Sequence, residues 1–294
     1  MLAIAAAQNF GLKGSGRLFI ISRGGIDSGP ARLLAHFDFA DGLFDVAWSE
    51  VGGGEEIIVA GGEGRIWRIN WRTGNRLAIS AHVKEVSSLD WCPHRMDKFS
   101  SSSWDSKIAV IQGGQVCSYL SGHGAVVNEA RWSPFSPFTL ISASADRTVR
   151  IWDERKPSTC TALISTAHSS LIVSDFLSVD WSKYEDWNVA TATTNDLLFW
   201  DLRMLGKGPS LRIPQAHRRA VKRIRWSPWS SHHVASVSFD MSVRLWDTRS
   251  MNPLSGPGFS GFTEFATGLD WSNFEKNLLV SCSWDESIRE HFVK

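Results

Sequence analysis

Cysteine is scarce. The 294 residues hold four, Cys92, Cys117, Cys160 and Cys282, with no Cys-x-x-Cys among them. That excludes a disulfide framework and a zinc knuckle, and it fits a reducing compartment. An excess of one charge is also missing. Lys plus Arg is 31 and Asp plus Glu is 30, a net charge of +1. The chain as a whole does not attract nucleic acid or anionic lipid, so any charge effect is local. No apolar run reaches the length of about 18 residues that a spanning helix needs. The apolar start, Met1 to Gln8, has no basic flank and is too short for a signal peptide. There is no GxGxxG, no P-loop and no metal-ligand spacing. His232-His233 has no Cys or carboxylate cluster beside it and reads as part of a turn. No cofactor and no catalytic role are expected.

What is present is tryptophan. The chain has 15 Trp against 2 Tyr, a bias that asks for a repeated structural use. Trp48, Trp91, Trp132, Trp181, Trp226 and Trp271 each end an alternating run just before a turn, and they recur every forty-odd residues. That period fits propeller blades or helical-pair solenoids. The segments between them decide. Leu140 to Ser144, then Asp146-Arg147, then Thr148 to Trp152 reads as strand, tight turn, strand. Val234 to Ser238, Asp240, then Ser242 to Trp246 repeats it. Alternation with period two and frequent β-branched residues exclude helices.

A stricter regularity lies inside the repeat. His123, Ser142, Asp146 and Trp152 follow one another at intervals of nineteen, four and six, as do His217, Ser236, Asp240 and Trp246. His82, Ser101 and Asp105 match, with Ile111 in the Trp place. Ser281 and Asp285 match in the last repeat, with Phe262 and His291 at the outer positions. A His-Ser-Asp set invites a catalytic reading. A catalytic set is needed once, however, and this one recurs. The structural reading is a buried polar network. The turn Asp accepts from the His and from backbone N–H groups, the His meets the Ser, and the Ser takes the indole N–H.

The pattern resembles the WD-repeat family. Trp152-Asp153, Trp200-Asp201 and Trp246-Asp247 close third strands as that family does. The expected fold is all-β, a seven-bladed WD-repeat β-propeller forming one domain over 1–294. Its blades run roughly 1–33, 34–77, 78–120, 121–164, 165–212, 213–257 and 258–294. Two blades depart from the pattern. Glu63 stands at the turn-Asp position of the second, with Ile69 where Trp is expected, and Thr194 then Asn195 stand there in the fifth. The fifth blade also carries extra residues between His168 and Trp181. Leu2 to Ala7 reads as the second strand of blade one and His291 to Lys294 as the end of the third strand of blade seven. The ring-closing N-terminal strand or strands are therefore expected to lie outside this sequence.

Blade geometry points certain side chains to the top face: the residue before each turn Asp, and two near the start of each first strand. These include Trp104, Phe239 and Trp284, then Phe44, Glu85, Leu177, Asp175 and Phe265, with Asp41 and Glu264 beside them. Aromatic anchors with acids between them suit a ligand with a basic residue and an apolar stripe, such as an amphipathic helix. The same aromatics would equally plug the seams between blades. Arg218, Arg219, Lys222, Arg223 and Arg225 form a basic cluster in blade six, either a surface for an anionic partner or a solvated strand edge.

Longer stretches are more specific. Asp41 to Glu50, Ser103-Trp104-Asp105, Ser182 to Glu185, Trp200 to Arg203, Thr263 to Asp270, Cys282 to Ile288 and the first-blade stretch from Ala6 to Gly16 resemble the peroxisomal import receptors for the second, N-terminal type of targeting signal. The resemblance implies a non-enzymatic cytosolic receptor that shuttles to the peroxisome. Its partners would be cargo proteins with that signal, a co-receptor peroxin and the peroxisomal docking complex, with no nucleic acid and no insertion into the membrane. It also implies that Asp41, Glu85, Asp175 and Glu264 meet the signal's Arg and polar side. Phe44, Trp104, Leu177, Phe239 and Trp284 would meet its apolar stripe or the co-receptor. A second resemblance lies in the Trp-Asp-x-Arg tetrapeptides at Trp152, Trp200 and Trp246. They look like the motif by which WD-repeat substrate receptors join cullin ubiquitin ligases, though the motif is common among WD-repeat chains.

Overall fold

The computed structural model describes residues 1–8, 14–24, 30–49, 53–165, 174–250, 252–254, 259 and 261–293. His168, residues 9–13 of the first-blade stretch, and part of the fifth-blade insertion lie outside them. The described residues form antiparallel sheets in which chain neighbours pair. Leu2–Ala7, Gly16–Ser22 and Arg32–Phe39 make the first sheet. Leu43–Trp48, Glu56–Gly61, Arg65–Asn70 and Arg76–Ser80 make the second. Val86–Trp91, Lys98–Ser103, Lys107–Gln112 and Gln115–Ser121 make the third. Val127–Trp132, Thr139–Ser144, Thr148–Asp153 and Cys160–Ser165 make the fourth. The fifth holds Ser178–Trp181, Asn188–Ala192, Leu197–Asp201 and Leu211–Ile213. The sixth holds Val221–Trp226, His233–Ser238, Val243–Asp247 and Asn252–Pro253. The last is Ala266–Trp271, Leu278–Ser283 and Ile288–Phe292. The first and last sheets thus have three strands each. The expected blade limits at 33/34 and 77/78 fall within Arg32–Phe39 and Arg76–Ser80, strands that pair backward with Gly16–Ser22 and Arg65–Asn70. Among the described residues, no helix is long and apolar enough to cross a membrane.

The chain divides into two compact units. The first is Met1–Trp132, Ser136–Leu140 and Trp152–Thr161. The second is Ser133–Phe135, Ile141–Ile151 and Ala162–Lys294. In the first unit, apolar cores sit between successive sheets. Leu18, Ile20, Phe37 and Phe39 pack with Leu43, Ile57 and Val59. Ile58, Ala60 and Ile66 pack with Val86, Leu89 and Phe99. In the second, Phe176, Val179 and Trp181 pack on Ile141, Val149 and Ile151, and Val237 and Leu245 pack on Leu269 and Trp271. Inner strands are therefore buried on both faces. Lys98–Ser103 and Thr139–Ser144 are almost wholly buried, whereas the outer Gln115–Ser121 alternates.

Side chains also join neighbouring inner strands. In the first unit the buried Asp45 accepts from the Leu89 N–H at 2.9 Å, and Asp90 from the Trp132 N–H at 2.7 Å. In the second, Asp180 accepts from the Trp226 N–H at 2.7 Å and Ser178 from the Ile224 N–H at 3.0 Å. These bonds satisfy strand donors that have no ladder partner on that side. Tyr184 donates its hydroxyl to the Pro228 carbonyl at 2.8 Å, and the Trp229 indole donates to the Ser272 carbonyl at 2.7 Å.

Candidate functional site

The loops that carry candidate binding residues are held by the repeated polar set. In the sixth sheet the chain of donors is complete. Trp246 Nε1 donates to Ser236 Oγ at 2.8 Å, and the hydroxyl lies 2.7 Å from His217 Nε2. Nδ1 of His217 lies 3.0 Å from Asp240. Burial lowers the His217 pKa despite Asp240, so the ring is neutral near pH 7, with Nδ1–H donating to the carboxylate and Nε2 accepting from the serine. Burial alone would raise the Asp240 carboxyl. Hydrogen bonds from His217, Ser242 and the Arg218 N–H hold it well below the usual carboxylate range. In the third sheet His82 bridges Ser101 at 2.9 Å and Asp105 at 3.0 Å, with no indole because Ile111 stands there. In the last sheet His291 takes the Trp place and meets Ser281 at 2.8 Å. In the fourth, His123 packs edge-on against Trp152, with ring centroids 5.6 Å apart. Asp146 accepts from the Thr148 N–H at 2.9 Å, and Ser142 is fully buried.

The fifth sheet keeps half of the set through a residue that the repeat spacing passes over. Trp200 Nε1 donates to Thr191 Oγ1 at 2.9 Å. Thr194 instead pairs with Ser174 at 2.6 Å. The turn is one residue shorter here, so Trp200 follows Thr191 by nine rather than ten. Counting back ten from the closing Trp200 therefore lands on Ala190 and misses Thr191, whereas counting back four from Asn195 finds it.

The turn carboxylates also fix the neighbouring loop backbone. Asp105 accepts from the Val83 N–H, Asp240 from the Arg218 N–H and Asp285 from the Thr263 N–H. The preceding serines donate to the next carbonyls, Ser103 to Lys84, Ser238 to Arg219 and Ser283 to Glu264. The aromatic before each Asp is tied by its N–H: Trp104 to Glu85, Phe239 to Ala220 and Trp284 to Phe265. The residue after Asp takes a left-handed conformation at Ser106, Arg147, Met241 and Glu286. Three loops of one shape thus carry different side chains: Val83-Lys84-Glu85, Arg218-Arg219-Ala220 and Thr263-Glu264-Phe265.

In the first unit Phe44 and Trp104 form a tilted pair with centroids 6.0 Å apart. Trp104 is 40% exposed and Glu85 is half-buried. Asp41 accepts from the Gly42 N–H at 2.8 Å and borders a shallow cleft with Glu63, Arg65 and Trp67. A side chain at Gly62 would run into the Asp41 carboxylate, so a glycine there leaves room for the acid.

In the second unit Asp175 and Glu264 are exposed and Leu177 is half-buried. Phe239 stacks on Phe265 at 5.0 Å, and Trp284 meets Phe265 at 5.2 Å and Phe239 at 6.1 Å. Phe265 is the centre of this cluster, a role the sequence did not single out. A basic group lies over it: the Arg219 guanidinium is 5.7 Å from the Phe265 ring centroid. The alternation of aromatics with acids thus describes the first-unit loops better than the sixth-sheet loop.

The Trp-Asp-x-Arg tetrapeptides have a local use. Arg155, Arg203 and Arg249 each fold back on Asp153, Asp201 and Asp247 in two-pronged bonds, with Nη2 at 2.7, 2.7 and 2.8 Å. Arg155 also covers Phe138, and Arg203 covers Trp187. The hydrogen bond from Arg249 holds the Asp247 carboxyl at about 2.

Comparison with known proteins matches this geometry. The family "WD domain, G-beta repeat" matches residues 114–153 and 208–247. Among solved structures, the WD40 β-propeller domain of Doa1 has a TM-score of 0.78 at 17% identity, covering 98% of this chain and 88% of that one. The fold is an all-β, seven-bladed β-propeller with WD repeats. The peroxisomal targeting signal 2 receptor of Mus musculus is 35% identical over 98% of this chain and 88% of its own length. That of Saccharomyces cerevisiae is 29% identical over 98% and 92%, and that of Homo sapiens 34% over 91% and 81%. The chain belongs to the family of peroxisomal targeting signal 2 receptors.

Proposed function

We propose that the chain binds the N-terminal type 2 signal of peroxisomal matrix proteins and, with a co-receptor peroxin, delivers them to the docking complex for import. It works as a cytosolic receptor that shuttles to the peroxisome and performs no catalysis. The observation that carries this reading is the match to receptors of that name over nearly the whole chain. The loop geometry supports it. In the first unit, Asp41 and Glu85 accompany the half-buried Phe44 and the exposed Trp104, a pattern suited to a helical peptide with an Arg beside an apolar stripe. In the second unit, Asp175 and Glu264 are the acids offered to the signal, and Leu177, Phe239 and Trp284 the apolar contacts for signal or co-receptor.

The test is capture of a fluorescent helical signal peptide, compared with its Arg→Ala version, with and without a candidate co-receptor. Preferential capture of the Arg-bearing peptide is expected. Glu85→Lys and Asp175→Lys, tested separately, are each expected to weaken it about tenfold without lowering the thermal midpoint. That is the loss of one charge-assisted contact, about 1.4 kcal/mol. Equal capture of both peptides by folded protein overturns the receptor reading. Unchanged binding by both variants overturns the acidic assignment.

A further inference from the structure

The sixth- and seventh-sheet loops of the second unit carry a surface of different character. Arg218, Arg219 and Lys222 are exposed on the sixth-sheet loop and first strand. Among the described residues, Arg218 and Arg219 form no ion pair. Arg219 lies over Phe265, the middle ring of the cluster with Phe239 and Trp284, and Trp284 is 39% exposed. Asp240, the turn carboxylate of the same sheet, is already engaged by His217, Ser242 and the Arg218 N–H. The loop backbone is fixed through that N–H and through the Ser238 hydroxyl on the Arg219 carbonyl. Two guanidinium groups are thus presented from a rigid loop beside an apolar platform. Adjacent guanidiniums bind carboxylates in two-pronged fashion, and a ring cluster takes aliphatic or aromatic side chains.

We propose that this surface, Arg218, Arg219 and Lys222 around Phe239, Phe265 and Trp284, docks an acidic polypeptide segment that also carries apolar side chains. Charge complementarity selects the occupant. A basic helical signal is repelled by the sixth-sheet loop and favoured by the acidic loop residues of the first unit. Glu264, exposed on the seventh-sheet loop, sets the direction: the partner's carboxylates lie toward Arg218 and its apolar side chains over the rings. The cations are few and the platform is aromatic, which fits a peptide better than the long phosphate track of a nucleic acid. The inference rests on the receptor reading only in taking this loop surface to meet polypeptide.

The experiment is a phage-displayed library of random 12-residue peptides, selected on the full chain and counter-selected on Arg218→Glu/Arg219→Glu. The pool that binds wild type but not the variant is expected to be acidic with aromatic or aliphatic residues. Its peptides should lose at least tenfold in affinity with Arg218→Glu alone and with Trp284→Ala, and should weaken as salt rises. Arg218→Glu replaces an exposed side chain, and thermal midpoints of all the variants separate loss of binding from loss of fold. A basic pool, or no difference between pools, overturns the proposal. Sedimentation with phosphatidylserine vesicles that depends on Arg218 and Arg219 overturns it in favour of a membrane contact. The fluorescent signal peptide is titrated into Arg218→Glu and Arg218→Glu/Arg219→Glu and is expected to bind as to wild type. If wild type takes the acidic peptides but not the signal, the receptor reading fails and the docking surface stands.

Discussion

His217 shows how far a single side chain is constrained. Its ring is enclosed, its Nδ1–H is directed at Asp240 and its Nε2 is served by Ser236, which in turn receives the Trp246 indole. Ser236→Ala strands both the indole N–H and the imidazole nitrogen. It is expected to cost about 1–3 kcal/mol, measured by urea unfolding. Ser101→Ala should cost less, because Ile111 leaves no indole in the third sheet to strand. At this scale the sequence was readable wherever spacing was strict: intervals of nineteen, four and six locate the members of each set. It failed at Thr191, where a shorter turn shifts the register and a threonine does the work of serine. Nor could spacing place Arg219 over Phe265, since that contact joins loops of different sheets through the reach of one long side chain.

At the scale of strands and sheets, the alternating pattern predicted strands correctly but understated their burial. A sheet packed on both faces buries both sets of side chains, so Lys98–Ser103 is enclosed although rich in serine. One consequence lies within the first unit. Lys98, at the start of that strand, reaches Glu154 with Nζ 2.8 and 2.7 Å from the two carboxylate oxygens, and both side chains are buried. Removing one partner leaves a buried charge unpaired. Lys98→Met alone is expected to destabilise by about 3–5 kcal/mol, whereas Lys98→Met with Glu154→Leu should recover most of that loss. A double-mutant cycle by chemical denaturation checks both values. Neither residue belongs to the repeat pattern, so nothing in the spacing announced the pair.

For the molecule as a whole, the buried histidines predict its response to acid. Burial lowers the pKa of His82 and His217, and it pushes His291 down to about 4. Below about 6.5 the unfolded chain therefore binds protons that the folded chain refuses. Stability from these groups is complete above that pH and is lost as the pH falls toward the folded values. The urea midpoint is expected to fall between pH 7 and pH 4.5, and His291→Phe should flatten the slope. Asp247 and Asp285, held at about 2, add a further loss only below about pH 4. The fold was legible at this scale because a period is a property of the whole chain. The distribution of charge was less so. Total charge is nearly balanced, and the sequence showed a basic cluster in blade six without showing that Arg219 lies over the Phe265 ring.

The turn carboxylates have a consequence for how such a molecule changes over time. Asp105, Asp240 and Asp285 grip main-chain N–H groups, which every residue but proline possesses. Loop shape is thereby uncoupled from loop identity. Val83-Lys84-Glu85 and Arg218-Arg219-Ala220 occupy equivalent sockets, so exchanging the two tripeptides transplants a charge pattern without redesigning the scaffold beneath it. Recognition in this architecture can drift, duplicate or be rewritten one loop at a time.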